Sequence, residues 1–283
     1  MGFWEFRGKR LSLHTPRIMG ILNVTPDSFF DGGKYTRLER ALERAFELVE
    51  QGADMIDIGA ESSRPGSKRI SVEEELRRLM PVLERLVQEG FPLPISVDTT
   101  KPRVAREALE VGAEILNDIR GFRDRELLLL AKEYQAGLVV MHMKGSPENM
   151  QDNPFYTDPC EEILVFFRDR LEEIQKLGIS LTSVVLDPGI GFGKRLEDNL
   201  EIFANLPRFC QLGVPLLVGA SRKSFIRMIC GPSAPRLGGS IAAHLWCISQ
   251  NVRIVRVHDV LEMKEALEVW RAIEERRQQG LKI

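Results

Sequence analysis

The sequence predicts an α/β fold, a single (β/α)8 barrel of the TIM type with a short N-terminal β-hairpin, and three observations point to it. Eight short apolar runs each stop on polar or ionisable residues. Residues 18–22 stop on Asn23, 55–56 on Asp57, 95–97 on Asp98, 115–116 on Asn117, 138–141 on His142, 184–186 on Asp187, 216–218 before Ser221-Arg222-Lys223, and 254–255 on Arg256 with His258. Between most of these runs lies a stretch of helical period, and strict strand–helix alternation calls for a parallel sheet wrapped in helices. The chain has 283 residues, against about 250 for such a barrel. One domain accounts for it, with 1–16 as a hairpin lid and 17–283 as the barrel.

The elements follow in order. Residues 3–13 alternate around a Gly8-Lys9 turn and read as a hairpin closing the barrel's lower end. In 37–51, Leu38, Ala41, Leu42, Ala45, Phe46, Leu48 and Val49 form one apolar face. Thr36, Ser71 and Asp158 are candidate N-caps, each with a Glu three residues on. Gly52, Gly90, Gly112, Gly137, Gly178 and Gly213 are expected to stop helices just before the next strand. The Gly/Pro-rich stretch 231–239 breaks a helix ahead of a second, unusually apolar one through Ile241, Ala242, Ala243, Leu245 and Trp246, a candidate dimer interface. The polar loops 24–34 and 59–69 are longer than a bare strand-to-helix connection, and long loops at strand C-termini usually carry function.

Composition excludes several classes. A net charge of -2 without charged blocks argues against a general nucleic-acid or membrane-surface binder. Cys160, Cys210, Cys230 and Cys247 match neither zinc spacing nor a compact disulfide framework, so reduced thiols and a cytoplasmic protein are expected. No basic-then-apolar leader and no run of about 20 apolar residues is seen.

On a barrel, the C-terminal strand ends converge on one mouth, so Asn23, Asp57, Asp98, Asn117, Asp187, Lys223, Arg256 and His258 would face one another. Singly, each has an ordinary explanation as a helix cap, a turn former or a hydrogen-bonded core residue. Eight such residues on one edge favour a site. Its chemistry divides in two. Asp98, Asn117 and Asp187 suit a flat heterocycle with amino, amide and ring N–H groups. Arg64, Lys223, Arg256 and His258 suit a polyanion, with Asn23 placed to help a metal bind it. The glycine-rich segments 187–194 and 219–224 let backbone N–H groups approach an anion.

The strings at 19–29, 57–66, 96–101, 117–119, 141–143, 187–194, 221–224 and 256–259 resemble, in order, those of the dihydropteroate synthase family. The resemblance implies a TIM-barrel transferase of folate biosynthesis, a sulfonamide target. It would condense 6-hydroxymethyl-7,8-dihydropterin diphosphate with 4-aminobenzoate to 7,8-dihydropteroate and pyrophosphate by an SN1-like route. Carried over by motif, Asp98, Asn117, Asp187 and Lys223 hold the pterin, with Met141 and Phe192 at its faces. Asn23, Arg256 and His258 take the diphosphate with Mg2+, and Ser63 and Arg64 complete the site. Pro65, Phe192 and Ser224 receive the aminobenzoate, while Asp57 and Gly219 line the site. The catalytic set is Asp98, Lys223, Arg256 and His258, and a homodimer is implied.

Three residues depart from the family pattern: Ser63 for a common Thr, Ala60 for a common Gly, and Phe30 for a common small residue. They bear on the aminobenzoate subsite. A methyltetrahydrofolate-dependent methyltransferase shares the pterin slot but has no use for a diphosphate clamp. A non-catalytic pterin-binding paralogue would keep the same polar positions. His14 and His244 read as structural, and His142 as part of a wall.

Overall fold

The structure, a computed structural model, describes residues 2–25 and 34–280. Eight strands form one parallel sheet: β3 Arg17–Asn23, β4 Met55–Gly59, β5 Ile95–Asp98, β6 Ile115–Asp118, β7 Gly137–Met141, β8 Val184–Asp187, β9 Leu217–Val218 and β10 Ile254–Val257. β10 pairs with β3, and a parallel bridge between Leu186 and Leu216 joins β8 to the start of β9, which closes the barrel. Strands β4, β6, β7 and β8 are buried along their whole length, as expected of strands covered on both faces. The register has a consequence for function. Asn23 pairs with Gly59, Gly59 with Asp98 and Asp98 with Asn117, so four consecutive strands end in one row.

The outer helices are α1 Lys34–Glu50, α2 Val72–Gln88, α3 Pro102–Val111, α4 Arg125–Glu133, α5 Pro159–Lys176, α6 Leu196–Ala204, α7 Leu206–Cys210, α8 Ser224–Cys230, α9 Leu237–Ser249 and α10 Val260–Gly280. Ser71 caps α2 by accepting from the Glu74 N–H at 3.1 Å, and Asp158 caps α5 by accepting from Glu161 at 2.9 Å. α1 begins at Lys34, ahead of the Thr36 expected as its cap. Residues 26–33 of the first long loop, with Phe29 and Phe30, lie outside the described residues. No helix among the described residues is long and apolar enough to cross a membrane.

At the lower end, β1 Phe3–Phe6 and β2 Lys9–Ser12 form the hairpin. Its turn is Arg7-Gly8, both at positive φ (46° and 73°), rather than Gly8-Lys9; that pair of left-handed residues matches the twist of the strands. Arg7 suits the position because its guanidinium donates to the Leu109 and Ala113 carbonyls at 2.8 and 2.7 Å. Trp4 is fully buried with Phe6 and Leu13 against Met19, Met55 and Ile254, and its ring N–H donates to Ser183 O at 2.8 Å. Gly137 does not stop a helix. It begins β7, and a Cβ there would lie 3.1 Å from the Trp4 ring, so its role is to admit the hairpin. The left-handed residue at the end of α4 is Gln135 instead.

Candidate active site

The mouth is organised from beneath by Asp57 of β4, which is fully buried. A buried carboxylate needs partners, and Asp57 takes them from three other strands. Its Oδ1 accepts from Ser96 Oγ of β5 at 2.6 Å; its Oδ2 accepts from Asn117 Nδ2 of β6 at 3.0 Å and from Arg256 of β10 at 2.7 Å (Nε) and 2.6 Å (Nη2). Asp57 therefore acts on the mouth through Arg256 and Asn117. The guanidinium also reaches Asp98 Oδ2 at 3.2 Å. Two acids thus share one cation, and Asp57 holds it at the shorter distances.

The separation into an acid slot and a cation clamp accordingly gives way to an interleaved floor. Burial, with Asp57 alongside, pushes the Asp98 carboxyl up to about 8, so it carries a proton at neutral pH. Burial raises Asp187 to about 6, with the Gly189 N–H at 2.8 Å and Lys223 opposing, which leaves it ionised near pH 7. Lys223 is drawn down to about 8 by burial and then by Arg256. His258 is not a cation here, since burial and then Arg256 hold it near 3. Ser221 Oγ accepts the His258 backbone N–H at 3.2 Å and lies 2.9 Å from Nδ1; the tautomer in which Nδ1 accepts the hydroxyl proton puts the ring proton on Nε2. His258 can offer an anion a hydrogen bond but no charge.

Asn117 shows what the floor lacks. Its amide nitrogen is committed to Asp57, while its Oδ1 is buried without a partner among the described residues. A buried acceptor left open calls for a donor. Across Gly59, Asn23 Oδ1 and Asp98 Oδ2 each lie 3.7 Å from where a Cβ would stand, so the neutral oxygen of Asn23 adjoins the acid row. Gly219 flanks Arg256, its Cβ position 3.7 Å from Arg256 Cβ.

One wall is apolar: Met141 and Phe192 pack together with Ile119, Met143 and Met150, three residues the sequence did not single out. The Lys223 ammonium lies 3.9 Å from the Phe192 ring centroid. Behind this wall stands Lys194, also missed. It is 3 % exposed, and its ammonium donates to the Gly189, Phe192 and His142 carbonyls at 2.9, 3.0 and 3.4 Å, with His142 Nδ1 at 3.1 Å. Burial lowers it to about 7. The backbone it gathers is tightly folded: a Cβ on Gly189 would come within 2.0 Å of His142 O, and one on Gly193 within 2.1 Å of Lys144 O. The available signal was a lysine ending a run of three glycines with no acid in register. His142 is a wall residue held neutral by burial and then Lys194. His244 accepts from the Ala220 N–H at 3.1 Å and supports the 219–221 turn.

The remaining candidates stand at the rim. Ser63 is half-buried, whereas Arg64, Pro65 and Ser224 are exposed. Ser224 begins α8.

Comparison with known proteins gives one consistent result. The family model "Pterin binding enzyme" matches residues 19–258. The chain is similar to the dihydropteroate synthases of Escherichia coli K12, 45% identical over 268 residues covering 94% of each chain, and of Haemophilus influenzae, 42% identical over 93% of this chain and 96% of that one. Its fold is similar to that of Xanthomonas albilineans dihydropteroate synthase with 4-aminobenzoic acid, at TM-score 0.90 and 44% identity over 96% and 98% of the two chains. The Thermus thermophilus enzyme in complex with 6HMPPP gives 0.82 and 43% over 95% and 99%.

Replacing Lys194 by Met should unpin this wall by leaving buried carbonyls unmatched. The expected loss is about 2–4 kcal/mol, checked by urea denaturation; an unshifted midpoint would show that the loop holds itself.

Proposed function

The chain belongs to the dihydropteroate synthase family of pterin-binding enzymes, and we propose that its mouth holds a pterin ring on Asp98, Asn117, Asp187 and Lys223 and a diphosphate on Asn23, Arg256 and His258. It is a transferase. It condenses 6-hydroxymethyl-7,8-dihydropterin diphosphate with 4-aminobenzoate to give 7,8-dihydropteroate and pyrophosphate, a step of folate biosynthesis that sulfonamides target. The observation that carries the ring assignment is the buried Oδ1 of Asn117, unpartnered among the described residues, between Asp98 and the Asp57–Arg256 pair. A ring edge bearing N–H groups would supply the missing donor, with the ionised Asp187 as second acceptor. Met141 and Phe192 would cover the ring faces.

In an SN1-like route the methylene C–O bond breaks first and its electron pair leaves with pyrophosphate. The arylamine lone pair then forms the C–N bond, and the amine's proton is lost to solvent. Arg256, Lys223 and the His258 Nε2–H are fixed donors for the departing charge, in a floor too tightly packed to reorganise as water would. A positive pterin favours the ionised form of Asp98, which then releases its proton. Asn23 offers one neutral oxygen, which fits a Mg2+ bound mainly through phosphate and water; such an ion would neutralise the leaving group's charge. Pro65, Phe192 and Ser224 would receive the aminobenzoate, its carboxylate at the start of α8.

We further propose a cytoplasmic homodimer. All four cysteines are unpaired, which suits a reducing compartment. Phe203, Phe225, Ile229 and Trp246 gather into one apolar surface, with Ile229 and Trp246 exposed. A monomeric mass by sedimentation at micromolar concentration would remove the dimer.

The direct test mixes pterin diphosphate, 4-aminobenzoate and Mg2+ and measures pyrophosphate. Arg256→Ala would strand the buried Asp57, so Arg256→Lys is the cleaner variant: it keeps a charge and loses the fork. Turnover should fall at least ~10²-fold, and a wild-type rate would mean the leaving group sits elsewhere. Affinity should also follow the Asp187 carboxyl. As pH falls through about 6, Asp187 gains a proton, losing its charge and turning one acceptor oxygen into a donor, so calorimetric pterin affinity should weaken about tenfold per unit below that point. Asp98, at about 8, stays protonated across that range, and Asp187→Asn should bind weakly with a flat profile.

A further inference from the structure

The loop 60–71 after β4 bears Ser63, Arg64 and Pro65 at its exposed tip; beyond the tip the Gly66 N–H donates to Pro147 O at 2.8 Å, and the base is fixed at Glu61. Glu61 Oε1 accepts from the Ile70 N–H at 2.7 Å, closing the loop on itself. Glu61 Oε2 accepts from Lys101 Nζ at 2.9 Å. The same ammonium donates to Glu75 of α2, whose side chain is 1 % exposed. Thr99 closes a ring: its Oγ1 donates to the other Glu75 oxygen at 2.6 Å and accepts from the Lys101 N–H at 3.2 Å. Thr99 directly follows Asp98, and its own N–H donates to Asn117 O at 3.1 Å. Glu75 is close enough to Asp98 to add to the rise of that carboxyl.

The two carboxylates on Lys101 do different things. Glu75 is buried, and a buried carboxylate is tolerated only with partners such as this ammonium. Glu61 is partly exposed and has no such need, so its contribution is geometric: it brings the loop's base to a lysine already fixed beside the acid row. A lone exposed ion pair contributes little to stability, but this one, with the Gly66–Pro147 bond on the far side, sets where a tip about ten ångströms of chain away can reach, about three residues at 3.3–3.6 Å each.

We propose that Glu61 and Lys101 are positioning residues for the arylamine: the pair holds the base of the 60–71 loop on the strand end that carries Asp98, so that Ser63, Arg64 and Pro65 stand at fixed reach from the pterin's reacting carbon. The proposal rests on the ligand assignment given under Proposed function. Binding a pterin on the floor does not need the pair, since the floor is complete without the loop. Capturing the cation with an amine needs it, because the second reactant must be aimed.

Glu61→Gln is the discriminating variant, because its amide oxygen still accepts from Ile70 while the charge pairing with Lys101 is lost. With wild-type protein turning over, this variant should raise KM for 4-aminobenzoate about tenfold and leave kcat at saturation near wild type. The calorimetric Kd for pterin diphosphate, measured without the arylamine, should stay within about twofold, and the melting temperature should not move. Lys101→Met should raise the same KM, and the double variant should be no worse in KM than the worse single one. An unchanged arylamine KM in Glu61→Gln, or KM and pterin Kd rising together, overturns the proposal. A failure of the ligand assignment itself is seen separately, as normal turnover in Arg256→Lys.

Discussion

The burial of Asp57 is the constraint from which the rest of the mouth follows. A carboxylate at zero exposure in a barrel interior is tolerated only if fully paired, and its partners come from β5, β6 and β10. Satisfying it orients Arg256 and commits the Asn117 nitrogen, which leaves the Asn117 oxygen open. It also takes the larger share of the one guanidinium, while burial, with Asp57 alongside, pushes the Asp98 carboxyl up to about 8. One pairing requirement thus fixes a donor, exposes an acceptor and sets a protonation state.

The site works against the stability of the fold. Asp98 titrates at about 8 and Asp118 and Asp187 at about 6, all raised chiefly by burial, against about 4 for an unfolded aspartate. Between the unfolded and folded values the folded chain binds more protons, so its stability falls as pH rises through that window and the penalty is complete above it. Ligands that donate to these carboxyls recover part of that cost. Asp118 is the exception in purpose, since its oxygens accept from the Arg120 and Phe122 N–H groups at 2.8 and 2.6 Å and shape the loop beside the mouth.

Much of this was legible in the sequence because strand ends are local signals. Eight apolar runs with polar stops located all eight barrel strands, and motif order gave the family. Charge states were not legible, because they depend on distances between residues far apart in the chain; His258 is neutral and Asp98 protonated through neighbours that only the closed barrel supplies. Lys194 was hidden because its partners are carbonyl oxygens, which every sequence contains. Gly137 was misassigned for a related reason. A glycine that ends a helix and one that admits a tryptophan look alike until the tryptophan is placed.

The hairpin under the barrel has its own consequence. Trp4, Phe6 and Leu13 seal the floor below Met19, Met55 and Ile254, at the opposite strand ends from Asn23, Asp98 and Asp187. The residues that determine how long the barrel survives and those that determine what it recognises are therefore separated by the length of the strands. Each strand serves both purposes, one at each tip, and a lineage of such chains can drift in durability at the lower rim while its selectivity at the upper rim stays as it was.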